Sequence, residues 1–135
     1  MSELNTSAAL RILTSESIVE FITETLGISP TSIYLSGTPL SANNPHGARR
    51  DGSLWIYESP LPESASLDEH IAHLVDILDE KGDALSRIRP RVSIVDLFCT
   101  FSSEGGQGSM ELSSGVLVRI ARHNINIIID LYPPS

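Results

Sequence analysis

Apolar and polar positions alternate from Ser7 to Leu13, with Ala8, Leu10 and Ile12 set against Ala9, Arg11 and Leu13. That period of two predicts a strand with at least one buried face. Ile18, Val19, Ile22 and Leu26 then recur at helical spacing and predict an amphipathic helix. Thr14 or Ser15 can cap it, and Glu16 suits its positive end. Gly27 supplies the left-handed residue that stops it before Pro30. Leu54 to Ser59 alternates again, with Trp55 and Tyr57 on one face and Leu54 and Ile56 on the other. Pro60 and Pro62 close that strand, because proline cannot donate to a ladder.

Ser66-Leu67-Asp68-Glu69 has the form of a capping box, in which serine and glutamate satisfy each other's free backbone donors. Leu67, Ile71, Leu74, Val75 and Leu78 give the buried stripe of the following helix, which Lys81 and Gly82 end. Ala84, Leu85 and Ile88 add one short turn before Pro90. Arg91 to Phe101 reads as the longest strand, with Val95, Leu97, Cys99 and Phe101 on one face and Ile94, Asp96, Phe98 and Thr100 on the other. Gly105 to Gly108 reads as a turn from which Ser109 to Leu112 returns as a short antiparallel strand. Ser113 or Ser114 caps a third helix carrying Val116, Leu117, Ile120 and Ala121, and Asn124 ends it. Ile125, Ile127, Ile129 and Leu131 share one face of a last strand, with Asn126, Ile128, Asp130 and Tyr132 on the other. The expected order is β-α-β-α-β-β-α-β, an α+β class containing a ferredoxin-like β-α-β-β-α-β series. A mixed, mostly antiparallel sheet with helices packed mainly on one face is the expected architecture.

At 135 residues the chain has the size of a single domain, expected to span 1–135. Ser29 to Gly52 is rich in Ser, Pro, Gly and Asn, a long connection of the kind that is usually functional or mobile. Nine Lys and Arg against 17 Asp and Glu give a formal charge of -8, which disfavours nucleic acid and anionic membrane as partners. No apolar run is long enough to span a bilayer, and the first residues lack a signal-peptide pattern, so a cytoplasmic protein is expected. One cysteine, Cys99, allows neither an internal disulfide nor a cysteine-built metal site.

The opening Ala9-Leu10-Arg11-Ile12, the Leu26-Gly27-Ile28 helix end, the Gly37 loop, the Trp55-Ile56-Tyr57-Glu58-Ser59 strand, the Leu67-to-Leu78 helix and the closing Ile129-Asp130-Leu131-Tyr132 run across nearly the whole chain. In these features the sequence resembles a family of small, mostly bacterial domains called domain of unknown function 4279. The tryptophan strand and the Asp-Leu-Tyr close are the distinctive parts. The resemblance implies an α+β fold and a soluble bacterial protein, and it brings no catalytic residue. By analogy of setting, some small acidic families of this kind are similar to toxin-neutralising immunity proteins.

Candidate chemistry is sparse. His70 and His73 are three residues apart with Glu69 before them, which fails the His-Glu-x-x-His pattern and reads as two solvated histidines. Asp96 and Asp130 lie mid-strand, where adjacency would split their pKa values, though each reads more simply as facing water or anchoring a loop. Cys99 reads as a small core residue. No nucleophile elbow or phosphate loop occurs; no catalytic residue, metal site or cofactor is expected. His46, Arg49 and Arg50 concentrate positive charge beside Trp55, able to hold a carboxylate or phosphate or simply to shield a sheet edge. A second sheet face carrying Trp55, Tyr57, Ile94, Phe98, Ile128 and Tyr132 is either an interaction surface or core beneath the first helix.

The leading expectation is a non-catalytic protein-binding module, in its narrower form an immunity-type neutraliser of a basic partner. Arg49, Arg50, Trp55, Tyr57, Phe98, Asp130 and Tyr132 are the candidate binding residues. The alternatives are a small-ligand binder or enzyme using the 36–55 loop, and a structural homodimer built on the sheet face.

Overall fold

A computed structural model describes residues 4–132. The elements run β1 (Leu4–Thr14), α1 (Val19–Leu26), β2 (Ser32–Tyr34), β3 (Ser53–Glu58), α2 (Leu67–Glu80), α3 (Gly82–Ile88), a 3-10 turn (Arg89–Arg91), β4 (Ile94–Ser103), α4 (Ser114–Arg122) and β5 (Asn126–Tyr132). The five strands form a sheet in the order β2-β3-β1-β4-β5. The β2–β3 ladder is antiparallel and the β4–β5 ladder parallel, so the sheet is mixed and the α+β class holds.

The order of elements differs from the expected one in two places. The extra strand is β2, inside the 29–52 stretch, where Ser32, Ile33 and Tyr34 pair with Ile56, Trp55 and Leu54. Backbone bonds carry this pairing outward, from Leu40 N–H to the Ala48 carbonyl and from Arg50 N–H to the Thr38 carbonyl. Ser109 to Leu112 forms no strand, so the ferredoxin-like hairpin series is absent. Its alternation was real, but no neighbouring strand accepts its hydrogen bonds, and a strand without a ladder has no reason to persist.

The chain divides into two compact units that interleave along the sequence. The first comprises the described residues of Met1–Leu10, Glu58–Glu80 and Asp96–Ser135. Its core sets Leu67, Ile71, Leu74, Val75 and Leu78 of α2 together with Ala8, Leu10, Leu97, Cys99, Val116 and Ile120, all buried. Each fully buried aliphatic side chain of this kind contributes about 1.5–3 kcal/mol. The capping box forms as expected: Ser66 N–H donates to Glu69 Oε1 at 3.0 Å and Glu69 N–H to Ser66 Oγ at 3.1 Å. Ser113 caps α4 by accepting from Val116 N–H at 3.2 Å, and Asn124 adopts a φ of 52° just beyond that helix. Of the apolar residues that α4 carries, Val116 and Ile120 are buried and Leu117 is exposed.

The second unit comprises Arg11–Tyr57 and Lys81–Val95. Here α1 packs on α3, and Gly27 ends α1 at a φ of 69°. Thr14 does not cap α1, which begins at Val19; its hydroxyl accepts from Glu16 N–H at 3.1 Å and forms a local turn. Gly52 lies so close to the Thr14 carbonyl that a Cβ there would stand 2.7 Å from the oxygen. Among the described residues, no helix is long and apolar enough to cross a membrane.

Candidate functional site

Fold and charge together single out the first unit. It holds 12 of the 17 Asp and Glu but only 2 of the 9 Lys and Arg, whereas the second unit holds 5 and 7. The acidity of the chain is therefore a property of one unit. Of its two basic residues, Arg119 is tied to Asp76 at 2.5 Å and to Asp79 at 2.8 Å. His123 also meets Asp79, at 2.6 Å, and these bonds join α2 to α4. The His123 and Arg119 hydrogen bonds hold the Asp79 carboxyl below its ordinary range.

The unit's outermost strand is β5, last in the sheet order. Its parallel register with β4 sets Phe98 beside Ile128, Thr100 beside Asp130 and Ser102 beside Tyr132. Three of the expected binding residues, Phe98, Asp130 and Tyr132, thus share one face. Phe98 and Asp130 are half-buried. Ile128 is 40% exposed and Tyr132 51%, while Leu131 on the opposite face is 65% exposed. An outer strand that shows large apolar side chains on both faces is a ready template for pairing. Hydrogen bonding to Asp130 first, and its charge second, push the Tyr132 phenol above its ordinary value.

Two clefts of about 440 Å³ each flank an exposed segment, residues 104–111. One is walled by Phe101, Leu131, Tyr132 and the turn at Gly106 to Gly108. The other is lined by Leu4, Leu67, Phe101 and Met110, by hydroxyls such as Ser64 and Ser66, and by the carboxylates Asp68, Glu69 and Glu111. Phe101 belongs to both. The segment between them is pinned by the Ser103 hydroxyl, which donates to the Gln107 carbonyl, and by Gly106 N–H to the Ser103 carbonyl at 3.1 Å. A Cβ on Gly108 would stand 2.5 Å from Leu4 Cδ2 and 3.3 Å from Phe101 Cζ, so the Leu4 side chain would have to shift to admit one. At the segment's end Ser113 N–H donates to Asp68 Oδ1 at 2.7 Å. Backbone and hydroxyl bonds from Ser66 hold the Glu69 carboxyl below its ordinary value.

The remaining candidates lie in the second unit. Trp55 is fully buried and donates its indole N–H to Thr23 Oγ1 of α1 at 3.0 Å, so it is core. Tyr57 is half-buried. Arg49 donates to the Gly37 carbonyl at 2.8 Å and to the Pro45 carbonyl at 3.4 Å, a clasp on its own loop. Arg50 stacks 4.3 Å from the centre of the Tyr34 ring. His46 is exposed.

Asp96 and Asp130 do not form a carboxylate pair. Asp96 faces Asn126 across the ladder and Asp130 faces Thr100, so the two carboxylates are four residues apart along the strands. The Cys99 thiol is buried and pushed up to about 12, by loss of water first and by Asp96 second, which leaves it inert. His70 is not solvated as expected: it is buried, with Nδ1 2.8 Å from Ser59 Oγ and Nε2 without a hydrogen-bond partner. Among the described residues, no group of three His, Cys, Asp or Glu could hold a metal. The residues that sequence reasoning overlooked are Ser59, Phe101, Leu131 and the 104–111 segment. Only the glycines at 105, 106 and 108 marked the last of these, and they were read as a hairpin turn.

These features define an acidic α+β protein whose sheet ends in the parallel strand β5, with an apolar cleft and an acidic one flanking the 104–111 segment. The chain belongs to the family described as domain of unknown function (DUF4279), whose model matches residues 2–134. No curated protein and no solved structure matches it significantly.

Proposed function

We propose that the protein is a non-catalytic protein-binding module whose docking surface is the β5 end of the acidic unit and whose partner is basic. The observation that carries this reading is the coincidence, on one unit, of an outer strand exposing Ile128, Leu131 and Tyr132 with 12 acidic and 2 basic residues. Apolar side chains at the centre of such a surface supply affinity, and the surrounding carboxylates steer a cationic partner and reject an acidic one. An immunity-type neutraliser, seated on the phosphate-binding surface of a basic toxin, is the narrower form of the same proposal. Self-association through β5 would bring two strongly acidic units together, and like charge opposes it. The 36–55 loop is the weaker alternative, because Arg49 already bonds its own backbone and Trp55 is buried. The test is parallel capture from an extract of the source cells with wild-type and Leu131→Glu baits. A basic protein retained by the wild type and lost by the variant supports the reading; equal retention on both baits, or a second copy of the chain alone, overturns it.

A further inference from the structure

The two clefts beside the 104–111 segment share the Phe101 ring but differ in chemistry, and the difference specifies what they hold. The cleft at the end of β5 is walled by Phe101, Leu131 and Tyr132, has no charged side chain among the described residues, and suits an apolar anchor. The other is lined by Leu4, Leu67 and Met110 together with serine hydroxyls and the carboxylates of Asp68, Glu69 and Glu111. A cleft lined by both apolar side chains and carboxylates matches one common side-chain type, a long methylene stem ending in a cation. The carboxylates are not neutralised within the cleft. Asp68 commits Oδ1 to Ser113 N–H and Glu69 commits Oε1 to Ser66 N–H, so the second oxygen of each remains for a ligand. Among the described residues, no Lys, Arg or His lines either cleft.

We propose that these clefts are paired anchor sites for one extended segment of a basic partner protein, which places an apolar side chain against Leu131 and a lysine or arginine against Asp68, Glu69 and Glu111. This rests on the docking reading above and extends it past the strand edge to the start of α2. Charge complementarity selects the occupant. A second copy of the acidic unit or an acidic peptide meets repulsion from Asp68, Glu69 and Glu111, and a neutral one gains nothing there.

The experiment is a 15N-resolved NMR titration of the full chain with a capped pentapeptide alternating leucine and lysine, beside a matched leucine–glutamate peptide. The expected result is saturable shifts at residues 64–69, 101, 106–111 and 131–132 with the lysine peptide only. Glu111→Gln is expected to weaken binding about fivefold, the scale of one partly shielded ion pair. Glu80→Gln, an equal change of net charge at the far end of α2, leaves the affinity unchanged. Shifts confined to 126–130 overturn the paired anchors while leaving edge docking intact. Equal weakening by both variants, shifts spread over Asp76, Asp79 and Glu80, or no shifts at all overturn the proposal outright.

Discussion

Acidifying the protein from pH 7.5 to 5.5 probes a histidine whose proton affinity the fold lowers. His70 is buried, its Nδ1 engages Ser59 Oγ at 2.8 Å, and its Nε2 has no hydrogen-bond partner. Burial lowers its pKa; backbone groups of Pro62 and Thr6 and the Glu69 charge oppose that shift, and His73 adds to it. The folded state therefore binds the His70 proton less readily than the unfolded chain. Its contribution to stability is complete above the unfolded value of about 6.5 and is lost as pH falls below it toward the folded value. One proton taken up on unfolding gives a slope of at most about 1.4 kcal/mol per pH unit, visible against a total of roughly 5–15 kcal/mol. Glu69 and Asp79, both held low, act in the same direction but only near and below their ordinary values of 4.5 and 3.8. The window between pH 6.5 and 5 lies above both carboxyl values, and the difference between the wild type and His70→Gln separates the His70 contribution from that of the other histidines. Urea unfolding followed by far-ultraviolet circular dichroism should show a free energy that falls more steeply across that window in the wild type than in His70→Gln. A flat wild-type profile, or an unchanged slope in the variant, would refute the reasoning and assign any titration to another histidine.

Trp55→Ala should cost about 3–5 kcal/mol in urea unfolding, since it empties a fully buried ring. Trp55→Phe, which forfeits chiefly the bond to Thr23, should cost about 1–2 kcal/mol, and a cost below 1 kcal/mol for alanine would contradict the core assignment. Cys99, with its thiol pushed up to about 12, should resist a thiol reagent at pH 8 until the chain is unfolded; rapid labelling of the native protein would show that the β4 core opens. Ser66→Ala should destabilise α2 by about 1 kcal/mol, and the Glu69 carboxyl should move back up toward its ordinary value in an NMR titration.

Local rules made much of this fold legible. Gly27 after Leu26, the Ser66–Glu69 box, Ser113 before α4 and Asn124 after it each act within four residues, and each stands where the chemistry of its side chain requires. Elements fixed by distant partners were hidden. The three residues of β2 are too few to show a period, and they exist as a strand because Ile56, Trp55 and Leu54 complete their ladder. Ser109 to Leu112 shows the reverse, a period with no ladder to join. Thr14 had two uses for its hydroxyl, and the turn at Glu16 took it from the helix. The candidate site divides along the same line. Phe98, Asp130 and Tyr132 were grouped by alternation, and register then brought them to one face. The separation of Asp96 from Asp130 is a matter of register alone. The partition of charge became visible only once the fold assigned each segment to its unit.

The central claim is that a basic protein docks on the β5 end of the acidic unit, and site-specific photocrosslinking in source cells tests it most directly. A benzophenone side chain at Leu131 is compared with one at Ser86, an exposed residue of α3 in the other unit. The account predicts a single adduct from position 131, with a protein whose Lys and Arg outnumber its Asp and Glu, and none from position 86. No adduct at 131, an adduct with a second copy of the chain, or the same adduct from both positions would contradict it.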